Sequence, residues 1–288
     1  MLLSKENKLL IDKTLEEDCA FHDLTSGIVI ANNTSAKAFI HSKENCILCG
    51  VEAARYIFNR LDKKATFKLF KNDSQNIKKG DRILEINSNT RSILSAERTA
   101  LNFLSFLSGV ATKTSKFVQK IKDLPAKIYD TRKTFPLLRS FQKYAVKTGG
   151  GFNHRFSLNH AILIKENHLK GSKLLIKGKP DLKAIEKVFD SIRKKNKGPI
   201  EIEVESLQEF RKIIEIHPDI ILLDNFNLSQ LKTAVQFRNK HYPKIILEAS
   251  GGISLSNIRK VALTGVERIS VGDITHTVDS IDLSLDLL

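Results

Sequence analysis

Apolar positions fall into two regimes along the chain, and the change comes near residue 126. Beyond it, short strand-like runs recur at 127–129, 161–164, 200–204, 220–223, 245–248 and 268–271. Helical spacing over 138–147, 182–195, 207–216, 228–239 and 255–263 separates most of them. Strand followed by helix, repeated, predicts a parallel sheet. Six such units over about 145 residues fall short of the ~250 typical of a closed eight-stranded barrel. An incomplete parallel α/β barrel remains, with an open doubly wound sheet as the other solution.

Before residue 126 the pattern is mixed. Residues 4–18 place Leu9, Leu10, Ile11 and Leu15 at helical spacing, which predicts an amphipathic helix. Strand-like runs follow at 27–31, 36–41 and 46–48, then a helix over 51–61 and strands at 66–70 and 82–86. Lys78-Lys79-Gly80-Asp81 supplies the turn between the last two. This predicts an α+β sandwich domain over 1–110, completed by a last strand from the tail at about 275–288, with the barrel over 111–274. The longest helical pattern, 95–122, has Ser95 as its N-cap and Arg98 in its first turn. The helix dipole disfavours a cation there, so Arg98 is either indifferent at the surface or set to bind an anion.

Polar residues gather where the parallel strands end. Arg132 and Lys133 lie just past the first run, and Lys165 closes the second. Glu203 sits late in the third, Asp224 and Asn225 close the fourth, Glu248 and Ser250 the fifth, and Gly272 the sixth. Barrels and open parallel sheets both carry their function at that end. One cluster is cationic: Arg132, Lys133, His154, Arg155 and Lys165, with Arg98 as a candidate addition. Arg139, Lys143, Lys147 and His168 lie in the same stretch, around the run Gly149-Gly150-Gly151, which can bring backbone close to a ligand. Guanidinium groups converging there suit a small polyanion. The other cluster joins Glu203, Asp224 and Glu248 to Ser250-Gly251-Gly252 and Gly272. Carboxylates beside a phosphate site imply Mg²⁺ between them, and the Ser-Gly-Gly turn, read as opening a helix, offers N–H groups to phosphate. Together these features suit transfer between two anionic substrates.

Charge and cysteine usage change this picture little. A net charge of +15 raises nucleic acid as a partner, but the basic residues come in short scattered groups, and with no basic arm, zinc-finger spacing or Trp none is expected. The charge does draw in anionic substrates. No apolar run approaches a membrane span, and the chain's start lacks a signal peptide's apolar core, so a cytoplasmic enzyme is expected. Cys46-Ile-Leu-Cys49 stands without a second ligand pair and reads as buried and structural.

The strings ERTALNFLSFLSG, DTRKTFPLLRSFQKYAV, GGGFNHR, LIKENH, LLDN and EASGGI, in this order, resemble the quinolinate phosphoribosyltransferase family from about residue 10 onward. The resemblance implies phosphoribosyl transfer from phosphoribosyl pyrophosphate to quinolinate with decarboxylation, giving nicotinate mononucleotide, pyrophosphate and CO2. It implies quinolinate contacts from Arg98, Arg132, His154, Arg155 and Lys165. Phosphoribosyl and metal contacts would come from Lys133, Glu203, Asp224, Ser250, Gly251, Gly252, Gly272 and His276, with Mg²⁺ on Glu203 and Asp224. It further implies a homodimer, or a trimer of dimers, in which Arg98 serves the neighbouring subunit's site. His22 stands where the family has Gly, which puts the turn in question, and Glu166 where an Asp is common. The rival readings are a same-fold paralogue associated with molybdenum transport, a nicotinate phosphoribosyltransferase and a basic nucleic-acid-binding protein.

Overall fold

Side-chain parity organises the second half of the chain, because successive residues of a strand face opposite sides of the sheet. In the computed structural model, which describes residues 2–172, 174–176, 179–195 and 198–288, six parallel strands form one sheet. They are β1 (Lys127–Tyr129), β2 (Ile162–Ile164), β3 (Ile200–Val204), β4 (Ile220–Asp224), β5 (Ile246–Ser250) and β6 (Arg268–Ser270). By register, Ile128, Ile164, Ile200, Ile202, Val204, Ile221, Leu223, Leu247, Ala249 and Ile269 share one face, and all are buried. The opposite face carries Glu201, Glu203, Asp224, Glu248, Ser250, Arg268 and Ser270. Each large side chain withdrawn from water on the oily side contributes roughly 1.5–3 kcal/mol. The polar face must instead be satisfied by its own partners.

The strand order is β1-β6-β5-β4-β3-β2. Sequence neighbours from β2 to β6 pair in turn, and β1 closes on β6, so the order is cyclic with one break between β1 and β2. This is the incomplete parallel α/β barrel. Phe152 runs along the free edge of β1, its N–H donating to Ile128 O at 2.8 Å and its carbonyl accepting from Asp130 N at 3.0 Å. The chain after Gly151 therefore enters the break and delivers Asn153, His154 and Arg155 to the polar face.

Two compact units divide the chain: Met1–Lys116 with Thr134–Gly151 and Ile274–Leu288, and Phe117–Lys133 with Phe152–Asp273. The first holds an antiparallel sheet in the order Leu283–Leu287, Ser35–Ser42, Arg82–Asn89, Thr66–Leu69. The tail strand lies beside Ser35–Ser42, with Ile40 opposite Leu285. Helices Lys5–Glu17 and Val51–Leu61 belong to this unit, as does Thr90–Lys120 up to Lys116. Among the described residues no helix is long and apolar enough to cross a membrane. Cys46 and Cys49 are buried free thiols, and burial pushes both proton affinities up, Cys49 the further.

Several local expectations give way to capping and packing. Residues 27–31, expected as a strand, belong largely to the helix Leu24–Val29, because Asp23 accepts from Ser26 N at 3.1 Å and Ser26 Oγ at 2.5 Å and caps it. The long helix starts at Thr90, so Arg98 lies in its third turn and the dipole argument lapses. Ser95 is not its N-cap; its hydroxyl donates to Asp23 Oδ2 at 3.0 Å. His22 in place of Gly does not occupy left-handed backbone; the left-handed residue nearby is Cys19, at φ 50. The fifth parallel strand ends at Ser250, leaving Glu248 in mid-strand rather than at its end.

Packing demands two glycines of the run. A Cβ on Gly149 would stand 2.3 Å from Ala111 O, and one on Gly151 2.8 Å from Thr114 Cγ2. The helix Arg139–Thr148 ends against Thr90–Lys120 only because these positions lack a side chain. Gly149→Ala should destabilise the protein by about 1–3 kcal/mol, the usual cost of overpacking. Urea denaturation checks this, and an unchanged midpoint would show that the helices can part.

Candidate active site

The polar face converges on one imidazole. His154 Nε2 lies 2.9 Å from Glu201 Oε2 on β3 and 3.6 Å from Glu248 Oε1 on β5. Those strands are separated by β4, so in a flat sheet they stand about 10 Å apart. One ring reaching both shows that this face is concave. Glu248 is fully buried, and its Oε1 also accepts from Ser270 Oγ at 2.5 Å, while Arg268 Nη1 stands 4.0 Å from Oε2. The main-chain N–H of Arg155 donates to His154 Nδ1 at 2.7 Å. A backbone amide can only donate, so Nδ1 is unprotonated and Nε2 carries the N–H that faces Glu201.

The same turn ties the two cationic motifs together. His154 N donates to Asp130 Oδ1 at 2.8 Å, and Asp130 immediately precedes Thr131-Arg132-Lys133. Burial lowers the proton affinity of the Arg155 guanidinium, and so does the charge of Arg132, against the opposing pull of Glu201 and Glu203. Arg132 Nε is buried without a hydrogen-bond partner. Two guanidinium groups within reach of each other's charge, one with an unmet donor, suit an anion.

Lys165 and Glu203 meet directly, Nζ on Oε2, with the lysine side chain 43% exposed. Asp224 closes β4 and accepts from Asn225 Nδ2 at 2.8 Å. Asn225 is left-handed at φ 55, and a Cβ on Gly251 would fall 2.1 Å from its Oδ1, so only glycine fits there. Ser250, Gly251 and Gly252 form the turn after β5. The helix beyond it starts only at Ile258, so this turn is not a helix N-terminus as expected, and its amides act as a loop. Gly272 follows β6 and precedes the single turn Asp273–His276. Arg98 and His276 lie in the first compact unit, as do Arg139, Lys143 and Lys147 on Arg139–Thr148. Both Arg98 and His276 are exposed. His168, expected among the cations, caps a helix instead, its Nδ1 accepting from Lys165 N at 2.9 Å.

Two acid groups differ in their fitness for a cation. Glu203 and Asp224 share a face at the strand ends. Burial and then the charges of Glu166, Glu209, Asp224 and Glu203 push the neighbouring Glu205 carboxyl up. Such a crowd of hard oxygen donors suits Mg²⁺. His154, Glu201 and Glu248 also bring three ligand atoms within 4.8 Å. Their chemistry opposes a metal. Coordination through Nε2 would need a proton on Nδ1, which faces the Arg155 N–H. Glu248, expected with the metal-side acids, belongs to this internal cluster because its strand runs two residues further.

Sequence reasoning missed Asp130, Glu201, Arg268 and Ser270. Glu201 had a legible signal: in Ile200–Val204, with helices expected on one face, both alternate acids must face the other side together. Asp130 had none, since an acid beside a basic motif reads equally well as surface.

The family profile described as Quinolinate phosphoribosyl transferase, N-terminal domain, matches residues 23–108, and that for the C-terminal domain matches 110–286. A Methanocaldococcus jannaschii protein named as a probable nicotinate-nucleotide pyrophosphorylase (carboxylating) is 42% identical over 97% of this chain and 96% of its own. A nicotinate-nucleotide pyrophosphorylase (carboxylating) of Mycobacterium leprae is 35% identical over 96% and 95%. The solved nicotinate-nucleotide pyrophosphorylase of Francisella tularensis superposes with a TM-score of 0.89 at 39% identity, covering 99% of this chain and 98% of that one.

Burial and the charge of Glu201 push Glu248 from its ordinary 4.5 up to about 7, against the pull of His154, Ser270 and Arg268. Between those values the folded protein holds a proton that the unfolded chain has released. Stability from this group therefore falls as pH rises through that window and is level above it. Glu248→Gln mimics the protonated form, so its thermal midpoint should gain on wild type by a few °C between pH 5 and pH 8. A difference that does not change with pH would overturn the assignment.

Proposed function

The chain belongs to the quinolinate phosphoribosyl transferase family, and from that premise we propose how its site performs the family's reaction. The phosphoribosyl group of phosphoribosyl pyrophosphate passes to the ring nitrogen of quinolinate, pyrophosphate leaves, and CO2 is lost to give nicotinate mononucleotide. The observation that carries this reading is the paired guanidinium groups of Arg132 and Arg155, with the unmet Nε donor of Arg132. A pyridine with two adjacent carboxylates is the kind of anion that such a pair grips.

Arg132, Arg155 and Lys165 take the two carboxylates of quinolinate, with His154 behind them. Lys133 and the loop residues Ser250, Gly251, Gly252 and Gly272 take phosphoribosyl oxygens through side-chain and main-chain donors, and His276 is assigned to the same substrate. Glu203 and Asp224 would hold Mg²⁺, and a bound ion would supply positive charge to the pyrophosphate oxygens. Carboxylate charge on Glu203 and Asp224 stabilises positive charge growing at the ribose carbon when the bond to pyrophosphate breaks. Ring alkylation makes the nitrogen cationic, so the electron pair left by CO2 rests on the neighbouring carbon beside that charge until a proton from solvent water completes the C–H bond of the product. The three free cysteines accord with a cytoplasmic setting.

Consumption of quinolinate, followed by its ultraviolet absorbance, should require both phosphoribosyl pyrophosphate and Mg²⁺ or Mn²⁺. Excess chelator should abolish turnover. Glu203→Gln combined with Asp224→Asn should weaken phosphoribosyl pyrophosphate more than quinolinate. Full activity in chelator would remove the metal from the scheme.

Arg98, exposed on the long helix, is assigned to the site of a neighbouring subunit in a two-fold homodimer, with a trimer of dimers as the larger assembly. Closed two-fold pairs are the commonest assembly of identical chains. Arg98→Ala and Lys165→Ala should each be inactive alone. Unfolded together and refolded as a mixture, they should recover a fraction of wild-type activity, because one site of each hybrid keeps both side chains. Hybrid dimers seen by native mass spectrometry that stay inactive would place Arg98 in its own subunit's site.

A further inference from the structure

Gln142 is fully buried on the helix Arg139–Thr148, and both ends of its side-chain amide bond to main chain outside that helix. Oε1 accepts from Phe135 N at 2.8 Å, and Nε2 donates to Thr275 O at 2.6 Å. All three residues lie in the first compact unit. A main-chain N–H can only donate and a carbonyl can only accept, so the position calls for a group that does both at once. No aliphatic side chain and no carboxylate meets that demand. Phe135 comes two residues after Lys133, and Thr275 immediately precedes His276. One buried side chain thus joins the stretches beside two residues assigned to the same substrate.

The stretch after Lys133 is held against its own preference. Pro136 and Leu137 are the central residues of a turn that Leu138 N closes on Phe135 O at 3.2 Å. Leu137 takes φ 64 there, a value that glycine ordinarily supplies at the third position of such a turn. Its side chain is 82% exposed, so packing of that side chain does not explain the strain. Backbone of this kind persists only where its surroundings over-determine it. The fixing groups come from the first turn of the following helix. Gln142 Oε1 holds Phe135 N, and Arg139 Nε donates to Thr134 Oγ1 at 3.1 Å.

We propose that Gln142 is a positioning residue for phosphoribosyl pyrophosphate, tying the main chain that leads out of Lys133 to the main chain that leads into His276. This rests on the assignment of Lys133 and His276 to that substrate. The quinolinate side has an anchor of its own, since Asp130, two residues before Arg132, accepts from His154 N at 2.8 Å. Loss of the Gln142 link therefore falls on one substrate and spares the other.

The test uses Gln142→Met, which keeps the length of the side chain and removes both hydrogen bonds. Steady-state kinetics at saturating quinolinate and calorimetric titration of quinolinate separate the two substrates. The KM for phosphoribosyl pyrophosphate should rise about tenfold, within the loss that a small misplacement of binding groups produces, with kcat changed less. The dissociation constant for quinolinate should stay within about twofold. Tyr144→Phe is the comparison, because it removes a hydrogen bond of the same helix, to Asp73 Oδ2 at 2.8 Å, without touching Gln142. It should lower the thermal midpoint and leave that KM unchanged. An equal rise of KM in Tyr144→Phe, or equal losses for both substrates in Gln142→Met, would make the role of Gln142 one of packing and overturn the proposal. A second arm uses wild type alone, so it does not depend on a variant folding. Saturation with phosphoribosyl pyrophosphate and Mg²⁺ should slow hydrogen exchange at the Phe135 amide and across 274–277 together. Slowing in one stretch without the other would show that the link transmits nothing and defeat the idea. Wild type that does not bind phosphoribosyl pyrophosphate overturns the functional reading itself. Wild type that binds it, with an equal KM in Gln142→Met, overturns only the positioning role.

Discussion

Buried acids beside a cluster of cations are the constraint on which the site depends. The charge of Arg132 disfavours that of the Arg155 guanidinium, whose burial weakens solvent screening. Asp130, Glu201 and Glu248 lie among or below them, 0%, 4% and 0% exposed. None of the three could be tolerated alone. The sheet makes the arrangement affordable by giving its oily face to the helices and keeping the acids on the concave face, where they meet His154, Arg155 and Arg268.

This division explains what the sequence disclosed. The alternation of strands and helices was legible because apolar strand runs and helical spacing are strong, repeated signals; the order of the strands came from the structure. Glu203 and Asp224 stood out because an acid closing an apolar strand is unusual. Helix boundaries were less legible: Ser95 resembles a cap, yet Thr90 begins the helix and Asp23, far off in sequence, takes the Ser95 hydroxyl. The segment around Ile28 looks like a strand by composition, and one well-placed carboxylate at Asp23 overrides it.

The remaining gap concerns pairing rather than placement. His154 was legible as part of the cationic stretch, but its partners lie 47 and 94 positions away, on strands reached only after folding. Nothing local tells whether a histidine after Asn153 aims at a ligand or at a buried acid. The glycine run misled for a similar reason: three consecutive glycines announce a close approach of backbone without saying to what, and here the neighbour is Ala111.

The single break in the cyclic strand order bears on how the domain assembles. Strands β2 to β6 each pair with a neighbour that is also next in sequence, so their ladder can grow one crossover at a time. Strand β1 has no such option, since its partner is β6 and Lys127 must find Arg268 across nearly the whole domain. Loop closure of that length makes β1 the late arrival. The segment carrying Arg132, and the one carrying His154 and Arg155 along the β1 edge, are fixed only when it docks. A nascent chain therefore exposes no finished anion trap until its last parallel strand has been made, and unpaired guanidinium groups are not gathered together before the acids that restrain them are in place.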